Sequence, residues 1–206
     1  MTHNDLGHVH NWIASPSGDA TTLLMLHGTG GDENDLVPLG RMLRPTANIL
    51  SPRGNVLENG MPRFFRRLAE GVFDMEDLAC RTDELASFIE GAAAKYGFDP
   101  DKLVAIGFSN GANIAASVLL RKPGTLRSAI LLSAMVPFEP EAKIDLSGTR
   151  AFLGAGRVDP IVPASNVERL AAILRDAGAD VTLHWQSGGH TITNDELAAA
   201  QKWISI

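Results

Sequence analysis

The feature that most constrains this chain is a five-residue motif between an apolar run and a helical pattern. Residues 103–106 form a short apolar run that is typical of a strand buried on both faces. Small and apolar residues then recur at helical spacing over residues 110–120. Between the two lies Gly-Phe-Ser-Asn-Gly at residues 107–111, with Ser109 at its centre. A strand before this motif and a helix after it predict a sharp turn that holds the serine hydroxyl out at the edge of a sheet.

Each residue type in the motif has a physical reason. A chain that turns from strand to helix within one residue puts Ser109 in a strained backbone. It also brings Gly107 and Gly111 close together, where a Cβ on either would clash. A serine hydroxyl is a poor nucleophile at its own pKa, so it needs a general base, an acid that orients the base, and N–H donors for the oxyanion. The rest of the chain can therefore be searched for these partners.

Strand and helix patterns alternate along the chain, which predicts an α/β fold: a mostly parallel, doubly wound sheet with helices on both faces. Further strands are predicted at residues 22–27, 48–51, 128–133, 150–155 and 180–185, with a weaker one at 9–14. Further helices are predicted at residues 32–43, 75–96 and 165–178, and after a capping box formed by Thr193 and Glu196. Residues 53–76 read as irregular. With 206 residues and no linker, we expect a single domain over residues 1–206.

An acid and a base follow Ser109 at suitable places. Asp159 lies in the loop after the strand at 150–155, where Pro160 blocks immediate helix growth. His190 lies between the last strand and the last helix, after two glycines that free the backbone. His184 falls inside a predicted strand and is a weaker candidate. The order Ser, Asp, His is similar to that of α/β-hydrolases, and it predicts a catalytic triad of Ser109, Asp159 and His190.

The oxyanion requires two backbone N–H groups, one after the nucleophile and one from the loop after an earlier strand. Asn110 is predicted to supply the first. The second is assigned to Thr29, in the loop His-Gly-Thr-Gly-Gly at residues 27–31. His27 ends a predicted buried strand, so we expect it to brace this loop rather than to act as a base.

These motifs together resemble the carboxylesterase/phospholipase branch of the α/β-hydrolases. The resemblance is carried by residues 26–33, 107–112, 156–160 and 188–190, and residues 51–55 and 59–65 are closer to small bacterial hydrolases of the hydroquinone-resistance type. It implies a cofactor-free serine carboxylesterase that hydrolyses small esters through an acyl-enzyme, and it suggests a homodimer. Related dienelactone hydrolases carry Cys at the position of Ser109, which makes their activity less expected here.

The segment Leu57 to Phe73 is too short for a full cap domain, but it could form a wall of the substrate pocket. We expect Phe64 and Phe65 to contact an apolar acyl or aromatic group, and Arg63, among several arginines here, to meet an anion. The alternative is a surface loop whose Phe side chains only pack the core.

Composition excludes several classes of partner. The net charge is −6, and the basic cluster at residues 63–67 is too small for nucleic acid or an anionic membrane. No stretch is long enough to span a membrane and no signal peptide is evident, so we expect a cytoplasmic protein. Cys80 is the one cysteine and is expected to be a buried thiol on a helix. His3, His8 and His10 lack a carboxylate or Cys that would complete a metal site, so no metal is expected.

Two alternatives stay open. A thioesterase or lysophospholipase would use the same residues on a different acyl group. A binding module without catalysis could use the same scaffold, although a complete triad makes that role less expected.

Overall fold

The computed structural model describes residues 2–205, and its backbone follows the predicted alternation of strands and helices. The strands of these residues are β1 (Thr2–Asp5), β2 (His8–Ile13), β3 (Thr22–Leu26), β4 (Asn48–Pro52), β5 (Val56–Glu58), β6 (Met61–Arg63), β7 (Arg67–Ala69), β8 (Val72–Phe73), β9 (Leu103–Phe108), β10 (Ser128–Leu132), β11 (Arg150–Gly156) and β12 (Asp180–Gln186). The helices are α1 (Val37–Leu43), α2 (Met75–Tyr96), α3 (Asn110–Arg121), α4 (Ala164–Asp176) and α5 (Asn194–Ile204), with a 3-10 helix at Pro100–Lys102.

Eight strands form the central sheet, in the order β1-β2-β4-β3-β9-β10-β11-β12. All neighbours from β4 to β12 are parallel, whereas β2 is antiparallel to both β1 and β4. Near the carboxyl end of β9, Gly107 is in register with Leu26 of β3 on one side and Leu131 of β10 on the other. The loops after these strands therefore meet at one edge of the sheet. This confirms the predicted mostly parallel α/β fold.

Helices cover both faces of the sheet over two apolar clusters. The larger cluster includes Leu85 of α2, Ala112 of α3 and Leu170 of α4. The smaller includes Leu43 of α1 and Ile204 of α5. Strands with apolar side chains on both faces are thus buried on both sides, as expected for a parallel sheet. Within residues 2–205, no helix has the length and apolar character needed to cross a membrane.

Helix α2 has the bounds that the sequence predicts, but its cysteine does not lie where expected. The helix begins after Asp74, whose side chain accepts the N–H of Asp77, and ends at Gly97, which has φ 70°. Cys80 is exposed, because it lies outside the face that buries Leu78 and Leu85. The prediction of a buried thiol is wrong.

Short hairpins replace the irregular structure predicted for residues 53–76. Strands β5 and β6 pair around Asn59 and Gly60, both with positive φ (52° and 79°), and β7 pairs with β8. Two central residues with positive φ are typical of a type I′ turn, and Asn-Gly is a favoured sequence for it. A similar turn at residues 6–7 joins β1 to β2, a strand pair of which only the second was predicted.

The helix predicted from Asp32 begins five residues later, at Val37. The acidic residues before it are used in other contacts. Glu33 accepts two hydrogen bonds from the Arg53 guanidinium, at 2.6 and 2.8 Å. Asp32 accepts the N–H of Asn34 at 2.7 Å, which holds a turn. These contacts fix the chain between the loop at 27–31 and the helix.

The predicted capping box at the start of α5 is only partly formed. The Thr193 hydroxyl donates to Asp195 at 2.6 Å and makes no cap bond to the helix. Glu196 is buried against Gly154 of β11, and neither of its oxygens has a hydrogen-bond partner of normal geometry among the described residues. Burial raises the pKa of Glu196 to about 7, although the nearby Thr193 amide offsets part of this effect.

We expect Glu196→Gln to remove a pH-dependent loss of stability. A raised pKa means that the folded protein binds the proton more tightly than the unfolded chain does, so stability falls as pH rises from about 4.5 to about 7. Above that range the penalty is complete, at roughly 3 kcal/mol. The variant should gain about that free energy of unfolding at pH 8 and little at pH 4.5, measured by urea unfolding. Glu90→Gln, at an exposed position of α2, is the matched control, and an equal gain in both variants would refute the explanation.

Candidate active site

Ser109 lies on a strained turn between β9 and α3, as predicted. Its backbone has φ 52° and ψ −113°, a region that non-glycine residues seldom adopt. The turn is held by two backbone bonds of 2.9 Å: the Ser109 N–H donates to Leu132, and the Ser109 carbonyl accepts from Asn113. Its side chain is half-buried and reaches a cleft at the carboxyl edge of the sheet.

The two glycines that flank Ser109 allow close backbone approaches. A Cβ on Gly107 would lie 2.5 Å from the Ala112 nitrogen and would overlap Gly111, as the motif predicts. A Cβ on Gly111 would overlap the carbonyl oxygen of Leu26, at the end of β3. Gly111 thus lets α3 pack directly against the strand that leads into the loop at 27–31, a contact that sequence reasoning missed.

His190 and Asp159 meet Ser109 from two other loops. His190 Nε2 lies 2.8 Å from Ser109 Oγ, and His190 Nδ1 lies 2.8 Å from Asp159 Oδ2. Since a carboxylate accepts, Nδ1 carries the proton and Nε2 is free to accept the serine hydroxyl proton. Asp159 Oδ1 also accepts the N–H groups of Ile161 and Val162, at 2.8 and 3.0 Å. These bonds fix a carboxylate whose side chain is only 1% exposed.

The loops that carry Asp159 and His190 are packed together at Gly156. A Cβ on Gly156 would overlap the carbonyl oxygens of Gly188 and Gly189. Gln186, which is fully buried, donates through Nε2 to the carbonyls of Gly189 and Thr191, at 3.0 and 3.1 Å. Gln186 therefore shapes the His190 loop. Its role depends on side-chain geometry that the sequence did not indicate.

The two backbone N–H groups that were predicted to hold an oxyanion belong to Thr29 and Asn110. In residues 2–205, neither the Thr29 amide nor the Asn110 amide donates to a protein acceptor. Both residues line the cleft with Ser109. Asn110 is the first residue of α3, so its N–H is one of the unpaired donors at a helix start, where the helix dipole favours negative charge.

The chain at residues 62–64 links Thr29 to Asn110. Sequence reasoning did not foresee this link. Pro62 accepts the N–H of Gly30 at 2.9 Å, and Arg63 Nη1 donates to Thr29 Oγ1 at 2.6 Å. One residue later, the Phe64 N–H donates to Asn110 Oδ1 at 2.7 Å. This short segment therefore sets the positions of both amides relative to each other.

His27 braces its loop. Its Nδ1 lies 2.6 Å from the Gly28 carbonyl, which must accept, and its Nε2 accepts the Gly54 N–H at 2.9 Å. Burial lowers the pKa of His27, which keeps it neutral at pH 7. With both nitrogens engaged, His27 has no free position for a proton from Ser109. His184, the weaker candidate for the base, lies at the surface, where its Nε2 is 3.3 Å from Asp195 Oδ2.

The cleft has a volume of about 240 Å³ and mixed walls. Its apolar lining includes Phe73, Phe108, Met135, Ile161 and Val162. Its polar lining includes Arg63, Arg67, Asn113 and Ser133. Ser133 follows β10 and has φ 53°, so it is the second non-glycine residue of the cleft, after Ser109, with a strained backbone. Sequence reasoning missed it.

Of the three predicted substrate contacts, Arg63 alone lines the cleft. Phe64 and Phe65 are 2% and 0% exposed and belong to the core beneath it. Phe64 packs on His27 and Phe65 on Phe73, with ring centroids 4.7 and 5.0 Å apart. This corrects the expectation that they contact substrate and agrees with the alternative that they pack the core.

The amino-terminal histidines make contacts of their own. His10 stacks on His3 and lies 2.7 Å from the Tyr96 hydroxyl. Across residues 2–205, no three His, Cys, Asp or Glu side chains are grouped in a way that could hold a metal ion.

Comparison with known proteins gives one family. The family model described as Phospholipase/Carboxylesterase matches residues 8–206. MhqD of Bacillus subtilis (strain 168), whose name describes it as a hydrolase, is 50% identical over 181 residues, which cover 88% of this chain and 90% of that protein.

Two solved structures of carboxylesterases are similar to this chain over nearly its whole length. A carboxylesterase from Bacillus cereus is 48% identical with a TM-score of 0.92, over 95% of this chain and 92% of that one. A carboxylesterase from Mesorhizobium loti is 31% identical with a TM-score of 0.95, over 100% and 98%.

Proposed function

Since this chain belongs to the phospholipase/carboxylesterase family of hydrolases, we propose that it is a serine carboxylesterase for small esters. The observation that carries this proposal is the series of two 2.8 Å contacts from Ser109 through His190 to Asp159. In this assignment the three residues are a catalytic triad, with Ser109 as nucleophile, His190 as general base and Asp159 as the orienting acid.

Acylation begins when Ser109 Oγ attacks the ester carbonyl carbon and its proton passes to His190 Nε2. The carbonyl oxygen becomes an oxyanion, which the N–H groups of Thr29 and Asn110 stabilise. Loss of one such donor typically costs roughly 3 to 4 kcal/mol in the transition state. The carbon–oxygen bond to the alcohol then breaks, and His190 returns the proton to the leaving oxygen. The acyl group remains on Ser109.

Deacylation repeats these steps with water. His190 Nε2 takes a proton from the water as its oxygen attacks the acyl carbon. The same two amides hold the second oxyanion. When that intermediate collapses, the carboxylic acid leaves and the proton returns to Ser109 Oγ, which restores the starting state. Throughout, the Asp159 carboxylate keeps the imidazole oriented and stabilises its charged form.

The size of the cleft favours a small ester over the alternatives with long acyl groups. Its volume of about 240 Å³ is below the range of about 300–1,000 Å³ of sites for drug-sized ligands. A thioesterase or lysophospholipase remains the alternative, since both would use the same triad. No observation favours a role without catalysis.

A substrate panel tests the proposal. We expect wild-type protein to hydrolyse p-nitrophenyl acetate and butyrate with higher kcat/KM than p-nitrophenyl octanoate, a short acyl-thioester or a lysophospholipid. Ser109→Ala should hydrolyse none of them above background. A clear preference for the thioester or the lysophospholipid would move the assignment to that alternative, and no hydrolysis of any member by the wild type would overturn it.

A further inference from the structure

The two side-chain amides of the cleft wall present hydrogen-bond donors, because their oxygens already accept from the backbone. Asn110 Oδ1 accepts the Phe64 N–H, and Asn113 Oδ1 accepts the Met135 N–H, both at 2.7 Å. These bonds determine which end of each side-chain amide is oxygen, so the remaining ends are Nδ2 donors. Asn110 Nδ2 is buried and donates to no protein group in the described residues. The two asparagines therefore offer the cleft donors rather than acceptors.

Arg63 adds a guanidinium that the fold does not fully use. The residue is 3% exposed. Its Nη1 donates to Thr29 Oγ1 at 2.6 Å and its Nε to the Phe65 carbonyl at 3.2 Å. Within residues 2–205, Nη2 donates to no protein acceptor. Arg63 thus lines the cleft with unused N–H groups, next to the residue whose amide is assigned to the oxyanion site.

The guanidinium groups of Arg63 and Arg67 pair with the same carboxylate. Arg67 Nε donates to both oxygens of Glu58, at 2.9 and 3.1 Å, and Arg63 Nε lies 3.2 Å from the same carboxylate. One carboxylate is therefore shared by two guanidinium groups. Glu70 also lines the cleft, but it is exposed at the turn between β7 and β8. Burial first, and then the charge of Arg67, lower the pKa of Arg63, against a smaller effect of Glu58.

We propose that the ester substrate carries a carboxylate a few bonds from its scissile carbonyl, and that Arg63 binds it with help from Arg67 and Asn110. The inference rests on the proposed function, because Ser109 and the two amides define where the carbonyl lies. A carboxylate accepts hydrogen bonds from guanidinium and amide donors and balances the shared charge. The substrate class is a small ester of a dicarboxylic or hydroxycarboxylic acid.

The test compares pairs of esters that differ in charge but hardly in shape. In the first pair, monomethyl succinate and methyl succinamate, the anionic ester carries its carboxylate on the acyl side. In the second pair, O-acetylglycolate and O-acetylglycolamide, the anionic ester carries its carboxylate on the alcohol side. Acid release is followed in a pH-stat at pH 7.5. In at least one pair we expect kcat/KM to be about tenfold or more higher for the anion, which is typical of a buried hydrogen bond to a charged group.

Variants separate binding of the anion from support of the oxyanion site. Arg63→Gln should remove the preference for the anion, and Arg63→Lys should keep part of it. Because Arg63 also contacts Thr29, its replacement can slow all esters, so the measured quantity is the ratio of anionic to neutral kcat/KM. Arg67→Gln, at a less buried side chain, should lower this ratio about threefold. Arg66→Gln, at an exposed arginine paired with Asp74, is the control and should leave the ratio unchanged.

Hydrolysis of p-nitrophenyl acetate by each variant shows whether the proposed esterase function itself holds. If that ester is hydrolysed but neither anionic ester is preferred, or neither is hydrolysed, the anion proposal is overturned and the esterase assignment stands. An anionic preference that is undiminished in Arg63→Gln would also overturn it, since another group would then bind the carboxylate.

Discussion

Replacing His190 with Ala is expected to lower kcat for p-nitrophenyl butyrate by at least about 10⁴-fold. The reason is that Ser109 Oγ lies 2.8 Å from His190 Nε2 and makes no hydrogen bond to another base among residues 2–205. His27 has both nitrogens engaged, and His184 pairs with Asp195 on the surface. Without His190 the serine must attack as a neutral hydroxyl, which is a weak nucleophile.

The control for this result is His184→Ala. His184 is partly exposed on β12 and does not line the cleft, so its loss should change kcat less than about twofold. Both variants should have wild-type circular dichroism, because neither side chain is part of the core. If His190→Ala kept a tenth or more of wild-type kcat, another residue would have to be the base.

Replacing Gly111 with Ala is expected to cost stability on the order of 3 kcal/mol or more. A Cβ at this position would overlap the Leu26 carbonyl oxygen and approach that of His27 at 2.6 Å, and both obstacles are backbone atoms that cannot rotate away. Within a helix, Gly to Ala normally stabilises by up to about 1 kcal/mol, so the expected sign is the reverse of the usual one. Urea unfolding measures the change, and activity should fall with it, because α3 would move away from the loop of Thr29.

Gly91→Ala is the matched control on α2. Its Cβ would contact only the end of the Leu6 side chain, at 3.2 Å, which can move. We expect its free energy of unfolding to stay within about 1 kcal/mol of wild type. Equal effects of the two substitutions would show that the close approach of α3 to β3 is not what requires Gly111.

The fold and the positions of the proposed triad could be predicted because they depend on local patterns and chain order. Leu103–Phe108 and Met75–Tyr96 have clear apolar periodicity, and the structure places strand and helix there. Parallel strands end at one edge, so loops after successive strands come together whatever their separation in sequence. Ser109 and His190, 81 residues apart, were predicted to meet for this reason.

The wrong predictions concern features that depend on contacts between residues far apart in the sequence. The helix after Asp32 begins late because Glu33 pairs with Arg53, a contact that no local pattern indicates. Phe64 and Phe65 were expected in the cleft because they are apolar side chains of the segment Leu57 to Phe73, which was expected to form a wall of the substrate pocket. Their rings are buried instead, while the backbone of the same segment bonds to Asn110. The hairpin at Asn59, by contrast, had a sequence signal, since Asn-Gly is typical of such turns.

The predicted roles of Thr29 and Asn110 could be assigned only by position, because a backbone N–H donor does not require a particular side-chain type. What holds these amides, the chain at 62–64, lies in a segment that read as irregular. Gln186 and Ser133 were missed for a similar reason. A buried amide and a strained serine are recognisable only once their surroundings are known.

The proposed role of Ser109 as the nucleophile can be tested by locating a covalent adduct on the protein. A fluorophosphonate reacts with an activated serine hydroxyl and stays bound, so tryptic digestion and mass spectrometry can find it. We expect a single adduct on the peptide of residues 103–121, with fragment ions that assign it to Ser109 rather than Ser117, and no adduct in Ser109→Ala. An adduct on another residue, or undiminished labelling of Ser109→Ala, would show that Ser109 is not the nucleophile.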